Sequence, residues 1–241
     1  MGFNGKTAFI TGAGKGIGKA IALGLAAKGA NLFLADLNEE NLASAAAEAE
    51  ALGVKVRTAV LDVSDENAVH KAVNDAIAAF GQVHILINNA GIYPKNQFLT
   101  DSSDLWKRSI NVNVLGTMYA AQAVLPHMIE KGYGRIVNIG SVAGVYGLSY
   151  FVDYSTTKGA VISFTKALAK LVSGKGVTVN CVSPGSIDVT EDGSSKVAEH
   201  SFTGRPGTPE ECANVVIFLA SDEASYVSGQ NYLVDGCRKK M

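Results

Sequence analysis

Thr11-Gly12-Ala13-Gly14-Lys15-Gly16-Ile17-Gly18 ends the apolar run of residues 6–11 and opens a helical pattern over 16–28. Strand, glycine turn and helix form the layout in which backbone N–H groups and a helix N-terminus receive a pyrophosphate. Glycine permits the tight turn and the close approach that a side chain would block. A glycine triplet alone is a weak signal. Here it lies between a first strand and a first helix, which is the context the chemistry requires. The spacing is TGxxxGxG rather than GxGxxG, which points to one branch of such folds.

Outward from that turn, the second apolar run ends in Leu34-Ala35-Asp36-Leu37. A carboxylate at Asp36 can accept both ribose hydroxyls of an adenosine and repels a 2′-phosphate. Leu37 offers no guanidinium to hold such a phosphate. Lys15 argues the other way, as a cation in the glycine loop. Burying a phosphate beside an unpaired carboxylate is costly, so the sequence predicts NAD over NADP.

Beyond these segments, short apolar runs at 54–60, 83–88, 134–140, 177–183 and 231–234 alternate with helical patterns. The helices fall at 39–51, 65–79, 101–130, 153–173 and 208–220. Thr208-Pro209-Glu210-Glu211 reads as a helix start, with a cap residue, proline in the first turn and acids behind it. Continuous apolar strands imply burial on both faces, hence a parallel sheet. The expected fold is one α/β domain over 1–241, a doubly wound, Rossmann-type sheet of about seven parallel strands with helices on both faces. No repeat or linker divides it. The irregular stretch 184–207 is long for a compact domain, and 188–203 within it is expected to be a substrate lid.

Composition excludes several classes. The chain has 241 residues, 47% hydrophobic and 18% charged, enough apolar matter for a sizeable core. Its 21 basic and 22 acidic residues give a net charge of −1, so nothing marks a nucleic-acid binder. Arg238-Lys239-Lys240 reads as a solvated tail. No apolar run is long enough to span a membrane, and the first ten residues lack a signal-peptide layout. The three cysteines, Cys181, Cys212 and Cys237, have no zinc spacing and suit a reducing, cytoplasmic compartment. The four histidines are scattered, and no metal site is expected.

Tyr154-Ser155-Thr156-Thr157-Lys158 carries the chemistry. Positions i and i+4 share a helix face, so Tyr154 and Lys158 can act together. A free phenol has a pKa of about 10, and a nearby cation lowers it towards the range useful for proton transfer. Tyr133, Tyr146 and Tyr150 have no lysine four residues on. Thirteen residues before Tyr154, Ser141 ends the fifth strand, where a hydroxyl can bind a substrate oxygen. Asn113 falls inside the long helix 101–130, where asparagine is a poor helix former and can bend the helix and hold a water. Tyr93, Val142, Tyr146, Phe151 and Ser186 are the expected pocket walls.

With TGAGKGIG at 11–18, Asp62-Val63, NNAG at 88–91, Asn113, Ser141, YSTTK at 154–158 and Pro184-Gly185, the chain resembles the short-chain dehydrogenase/reductase family over essentially its full length. The tail half is similar to its 3-oxoacyl-acyl-carrier-protein reductase-like branch, notably at Phe218–Ala224. The resemblance implies Tyr154 as general acid/base, Lys158 lowering its pKa and binding the nicotinamide ribose, Ser141 orienting the carbonyl and Asn113 supporting a relay water. It implies cofactor contacts from Gly12, Lys15, Gly16, Ile17 and Gly18, from Asp62 and Val63 at the adenine, and from Asn89, Ala90 and Gly91. Pro184, Gly185, Ile187 and Thr190 would approach the nicotinamide. Helices 101–130 and 153–173 would form a four-helix subunit interface, with 208–220 and the last strand as a second contact, giving a homotetramer. Two features depart from the branch: Asp36 conflicts with its NADP preference, and Gly132 stands where it carries a basic carrier-docking residue, although Lys131 and Lys175 nearby could substitute.

The expectation is an NAD-dependent oxidoreductase interconverting a secondary alcohol and a ketone. A 3-oxoacyl-thioester reductase and a non-catalytic nucleotide-sensing relative are the alternatives.

Overall fold

The computed structural model describes residues 1–94, 97–190 and 201–239. Most of the expected lid, 191–200, therefore lies outside the described residues. Seven strands form one all-parallel sheet: β1 (Thr7–Thr11), β2 (Asn31–Asp36), β3 (Val56–Val60), β4 (Ile85–Asn88), β5 (Gly134–Ile139), β6 (Val177–Pro184) and β7 (Asn231–Val234). Their order is β3-β2-β1-β4-β5-β6-β7. The chain reverses direction across the sheet at β1, where Thr11 faces Ala35 of β2 and Asn88 of β4.

Side chains alternate between two cores, as the two-residue period of a strand requires. Ala8 and Ile10 of β1 join one core with α1 (Gly16–Ala26), α2 (Glu39–Glu50) and α8 (Pro209–Leu219). Phe9 points the other way. It stacks on Phe33 with ring centroids 5.0 Å apart, in a core shared with α3 (Glu66–Phe80), α5 (Gly116–Glu130) and α7 (Val152–Leu171). Truncating so buried an aromatic costs about 3–5 kcal/mol. Every residue of β1, β4, β5 and β6 is buried, as continuous apolar runs predict. The edge strand β3 departs from that expectation: after Val56 its residues are exposed or half-buried, because no strand flanks it on the outside.

Helix ends follow their local chemistry. Asn38 caps α2 by accepting from the Asn41 N–H, and Asp65 caps α3 through Ala68. Thr208 and Glu211 form a reciprocal capping box at α8, with Pro209 behind the cap. The helix expected over 101–130 is three pieces: α4 (Ser103–Ile110), a π turn (Asn111–Leu115) and α5. A five-residue helix, α6 (Val142–Tyr146), escaped the sequence pattern because it is shorter than two turns.

Candidate active site

Strand carboxyl ends at the reversal point form the crevice where such sheets bind ligands. The glycine turn is built for close approach. A Cβ on Gly18 would stand 2.0 Å from the Gly12 carbonyl oxygen, and one on Gly12 would stand 2.8 Å from the Ala90 Cα. Gly12 and Gly16 also have φ of +63° and +54°, the left-handed region that favours glycine. Asn89 ties the turn to β4, with its Nδ2 donating to the Thr11 carbonyl at 3.1 Å and the Gly12 carbonyl at 2.8 Å. Lys15 is the N-cap residue of α1, and its side chain makes no cap bond.

Asp36 accepts from the Gly14 N–H at 2.8 Å and from the Asn38 N–H at 2.9 Å, one bond to each oxygen. A carboxylate has about four acceptor sites, so two remain for a ribose diol. Asp62 accepts from the N–H and hydroxyl of Ser64, which hold its carboxyl below the usual range. The Val63 side chain is buried against Gly116, so this residue can offer a nucleotide only its backbone. The glycine cradle and the open acceptor sites of Asp36 fit a dinucleotide.

A cleft of about 630 Å³ brings together Ile17, Asn89, Gly91, Ser141, Tyr154, Lys158, Pro184, Gly185 and Ile187. Ser141 caps α6, its hydroxyl accepting from the Ala143 N–H at 3.1 Å. Gly144 lets α6 lie against the backbone of α7, where a Cβ would stand 2.5 Å from the Lys158 carbonyl carbon. That contact sets Ser141 beside Tyr154. Burial pushes the Tyr154 phenol above its ordinary pKa, and contact with the Ser141 hydroxyl pulls it partly back.

The expected lowering of Tyr154 by Lys158 is not what the structure gives. The Lys158 ammonium lies 5.8 Å from the Tyr154 ring centroid and donates to the Ile139 carbonyl at 2.8 Å. Burial pushes Lys158 down to about 8. Lys158 still carries its charge at neutral pH, and what raises the Tyr154 phenol is the phenol's own burial.

Asn113 is fully buried behind the cleft. Its Oδ1 accepts from the Ile92 N–H and its Nδ2 donates to the Ile92 carbonyl, both at 2.8 Å, with a further bond to Thr157 Oγ1 at 3.1 Å. The side chain clamps the loop after β4. Thr190 and Asp188 bond to each other through both the backbone N–H and the hydroxyl of Thr190.

Tyr93, Val142, Phe151 and Ser186 line the cleft as expected, but Tyr146 does not. It ends α6 beside Gly147, whose φ of +71° turns the chain away, and it is exposed. Leu148 and Tyr150 take its place. Arg238 also lines the cleft, so it is not the freely solvated tail residue that composition implied. An isolated antiparallel bridge to Ser201 holds it there, a pairing no sequence pattern announces.

A doubly wound sheet with a glycine cradle at its reversal point, and serine, tyrosine and lysine in the adjoining cleft, defines a dinucleotide-dependent oxidoreductase. A family model described as enoyl-(acyl carrier protein) reductase matches residues 12–237. The 3-oxoacyl-[acyl-carrier-protein] reductase FabG of Thermotoga maritima is 41% identical over 242 residues, covering 98% of each chain. A crystal structure of NAD+-bound xylitol dehydrogenase superposes with a TM-score of 0.92 at 34% identity, over 97% of this chain and 99% of that one. A short-chain type dehydrogenase/reductase from Mycobacterium ulcerans gives 0.93 at 32% identity, over 99% and 94%. The chain belongs to the short-chain dehydrogenase/reductase family, oxidoreductases that act on ketones and alcohols with NAD(P)(H). Among the described residues, no helix is long and apolar enough to cross a membrane.

Proposed function

We propose that this chain is an NAD(H)-dependent oxidoreductase that interconverts a secondary alcohol and a ketone, with Tyr154 as general acid/base. The observation that carries the reading is the shared cleft of Ser141, Tyr154 and Lys158 beside the glycine turn. Gly12, Lys15, Gly16, Ile17 and Gly18 would hold the pyrophosphate and Asp36 the ribose. Asp62 and the Val63 backbone would take the adenine. Asn89, Ala90, Gly91, Lys158, Pro184, Gly185, Ile187 and Thr190 would take the nicotinamide half. When bound there, the dinucleotide supplies or accepts the hydride.

The remaining work falls to the chain's own groups. Ser141 Oγ and the Tyr154 phenol donate to the substrate oxygen and stabilise charge developing on it. Because burial raises its pKa, Tyr154 holds its proton at neutral pH and is poised to give it to a ketone. Oxidation of an alcohol needs the same group deprotonated, so it gains from alkaline pH. Asn113 acts by position. Its side chain is committed to Ile92 and Thr157, so a relay water would be held by its backbone carbonyl, which also accepts from Thr117 Oγ1 at 2.9 Å.

Tyr154→Phe tests the assignment. Turnover is expected to fall about 100- to 10,000-fold, the range for losing a general acid. NADH binding, followed by fluorescence, should persist. A variant that turns over like the parent removes Tyr154 from the mechanism, and a parent that binds NADH without oxidising any alcohol would be a nucleotide sensor.

The likeness to FabG favours a second reading, a 3-oxoacyl-thioester reductase. Gly132 lacks the basic side chain that docks a carrier in that branch, so any docking there would fall to the neighbouring Lys131 and Lys175. The Gly132 φ of +65° is a conformation that a basic side chain adopts only under strain.

A further inference from the structure

The cleft contains a charge that the proposed chemistry does not use. Arg238 and Lys158 are the only cationic residues lining it among the described residues, and none of the lining residues is acidic. Lys158 Nζ is committed to the Ile139 carbonyl. Among the described residues, the Arg238 guanidinium has no hydrogen-bond or ion-pair partner. A half-buried cation that borders an apolar cavity and is not neutralised from within is a binding group in waiting.

The backbone holds it there deliberately. The Phe202 N–H donates to the Cys237 carbonyl at 3.0 Å, and the Thr203 N–H donates to the Gly236 carbonyl at 3.3 Å. Ser201 Oγ donates to the Arg205 carbonyl at 3.0 Å, and Arg205 in turn grips Glu211 of α8 with both guanidinium NH2 groups, at 2.9 and 2.5 Å. The tail approaches closely enough that a Cβ on Gly236 would stand 2.6 Å from Thr203 Oγ1. Cys237, immediately before Arg238, has φ +58°, the one positive value at a non-glycine residue among those described. Left-handed backbone is unfavourable at such a residue. Strain of this kind persists where the surroundings over-determine it, and sites that present a ligand group are a common place for it.

We infer that Arg238 is a specificity determinant for a ketone or secondary alcohol that also carries an anionic group, a carboxylate or a phosphate. The inference rests on the oxidoreductase reading above and names its substrate class. The guanidinium fork matches the two oxygens of either anion. Leu148, Tyr150, Phe151 and Val189 provide apolar wall for the carbon chain. Among the described residues, a neutral alcohol would give the Arg238 charge no partner in the cleft.

The test uses the full chain and straight-chain keto acids, each paired with its own primary amide, reduced with NADH. The parent is expected to favour the acid over the amide at least about tenfold in kcat/KM. In Arg238→Gln this ratio should collapse towards one, chiefly through KM for the acid, while Arg238→Lys keeps part of it. Lys239→Gln is the control: its ammonium lies 5.7 Å from the Phe202 ring, away from the cleft lining, and the ratio should stay. A second arm offers the oxoacyl group on phosphopantetheine and on dephosphorylated pantetheine. An Arg238-dependent preference there, without one in the first arm, assigns the anion to a phosphate. A parent that ranks acid, amide and both thioesters alike overturns the proposal. So does an Arg238→Gln variant that weakens NADH binding but leaves the ratios intact. Calorimetry of levulinate and its amide on the NADH-loaded protein separates the two readings. Arg238-dependent binding of levulinate without turnover would sink the catalytic assignment and leave the anion site standing.

Discussion

At Lys158, burial and function pull in opposite directions. The ammonium lies fully inside the protein with one carbonyl partner, and burial pushes its pKa down to about 8. Between about 8 and the usual lysine value the unfolded chain holds a proton that the folded chain has lost. Stability therefore rises with pH across that window. Below about 8 both states are protonated and the penalty is constant. Lys158→Met removes it, so this variant should be more stable than the parent at pH 7, on the order of 1–3 kcal/mol, and inactive. Its advantage should shrink steadily above pH 8, as urea melts at several pH values would show. Tyr154 and Tyr133, whose pKa values are raised, act with the opposite sign only in the alkaline tyrosine range, and they do so in both proteins. A variant less stable than the parent at pH 7 would mean that the buried charge is compensated. The i, i+4 pairing of Tyr154 with Lys158 was legible in the sequence. The direction in which each pKa moves was not, because desolvation depends on α6, β5 and β6 closing around them. Arg238 was illegible for a related reason: what places it is a backbone bridge to Ser201, and such a bridge depends on no side-chain pattern.

At the scale of elements, hydrophobic runs located all seven strands to within about two residues, and the glycine turn and the Thr208 cap marked the starts of α1 and α8. What the pattern missed was the break inside 101–130. Asn113 is where a helix former is wanted, and the structure answers with a π turn. Such a turn adds a residue to the helical circuit, and the extra residue lets Asn113 face inward to Ile92 and Thr157. The polar choice in the sequence and the bulge in the backbone are therefore one feature. Asn113→Leu, of similar volume, would take away the side-chain partner of the half-buried Ile92 N–H and carbonyl. The expected cost is about 1–2 kcal/mol, because water can take over part of the bonding of a half-buried loop. Amide exchange at Ile92 should rise out of proportion to the global change. Equal exchange in parent and variant would show that the loop after β4 is held by something other than this side chain.

For the whole molecule, partly exposed apolar side chains along one sheet edge bear on assembly. β7 closes the sheet with Tyr232 36% and Leu233 41% exposed, and beside it Phe218 of α8 is 37% exposed. A last strand with apolar residues facing water is a liability in a free monomer, and burying it against a second copy removes the liability. Leu105 of α4 and Met118 and Ile129 of α5 are also partly exposed, which supports a second contact elsewhere on the surface. Two such contacts related by two-fold axes close into a tetramer. We therefore expect a solution mass of about four times the 25.1 kDa of the chain. Phe218→Glu places a carboxylate in one contact only, and burying it unpaired costs several kcal/mol. Light scattering should then find dimers, held by the contact that was not altered, with far-ultraviolet circular dichroism unchanged. Monomers from that single change would mean one interface carries the whole assembly. A parent that is itself monomeric would leave the exposed β7 edge to some other partner.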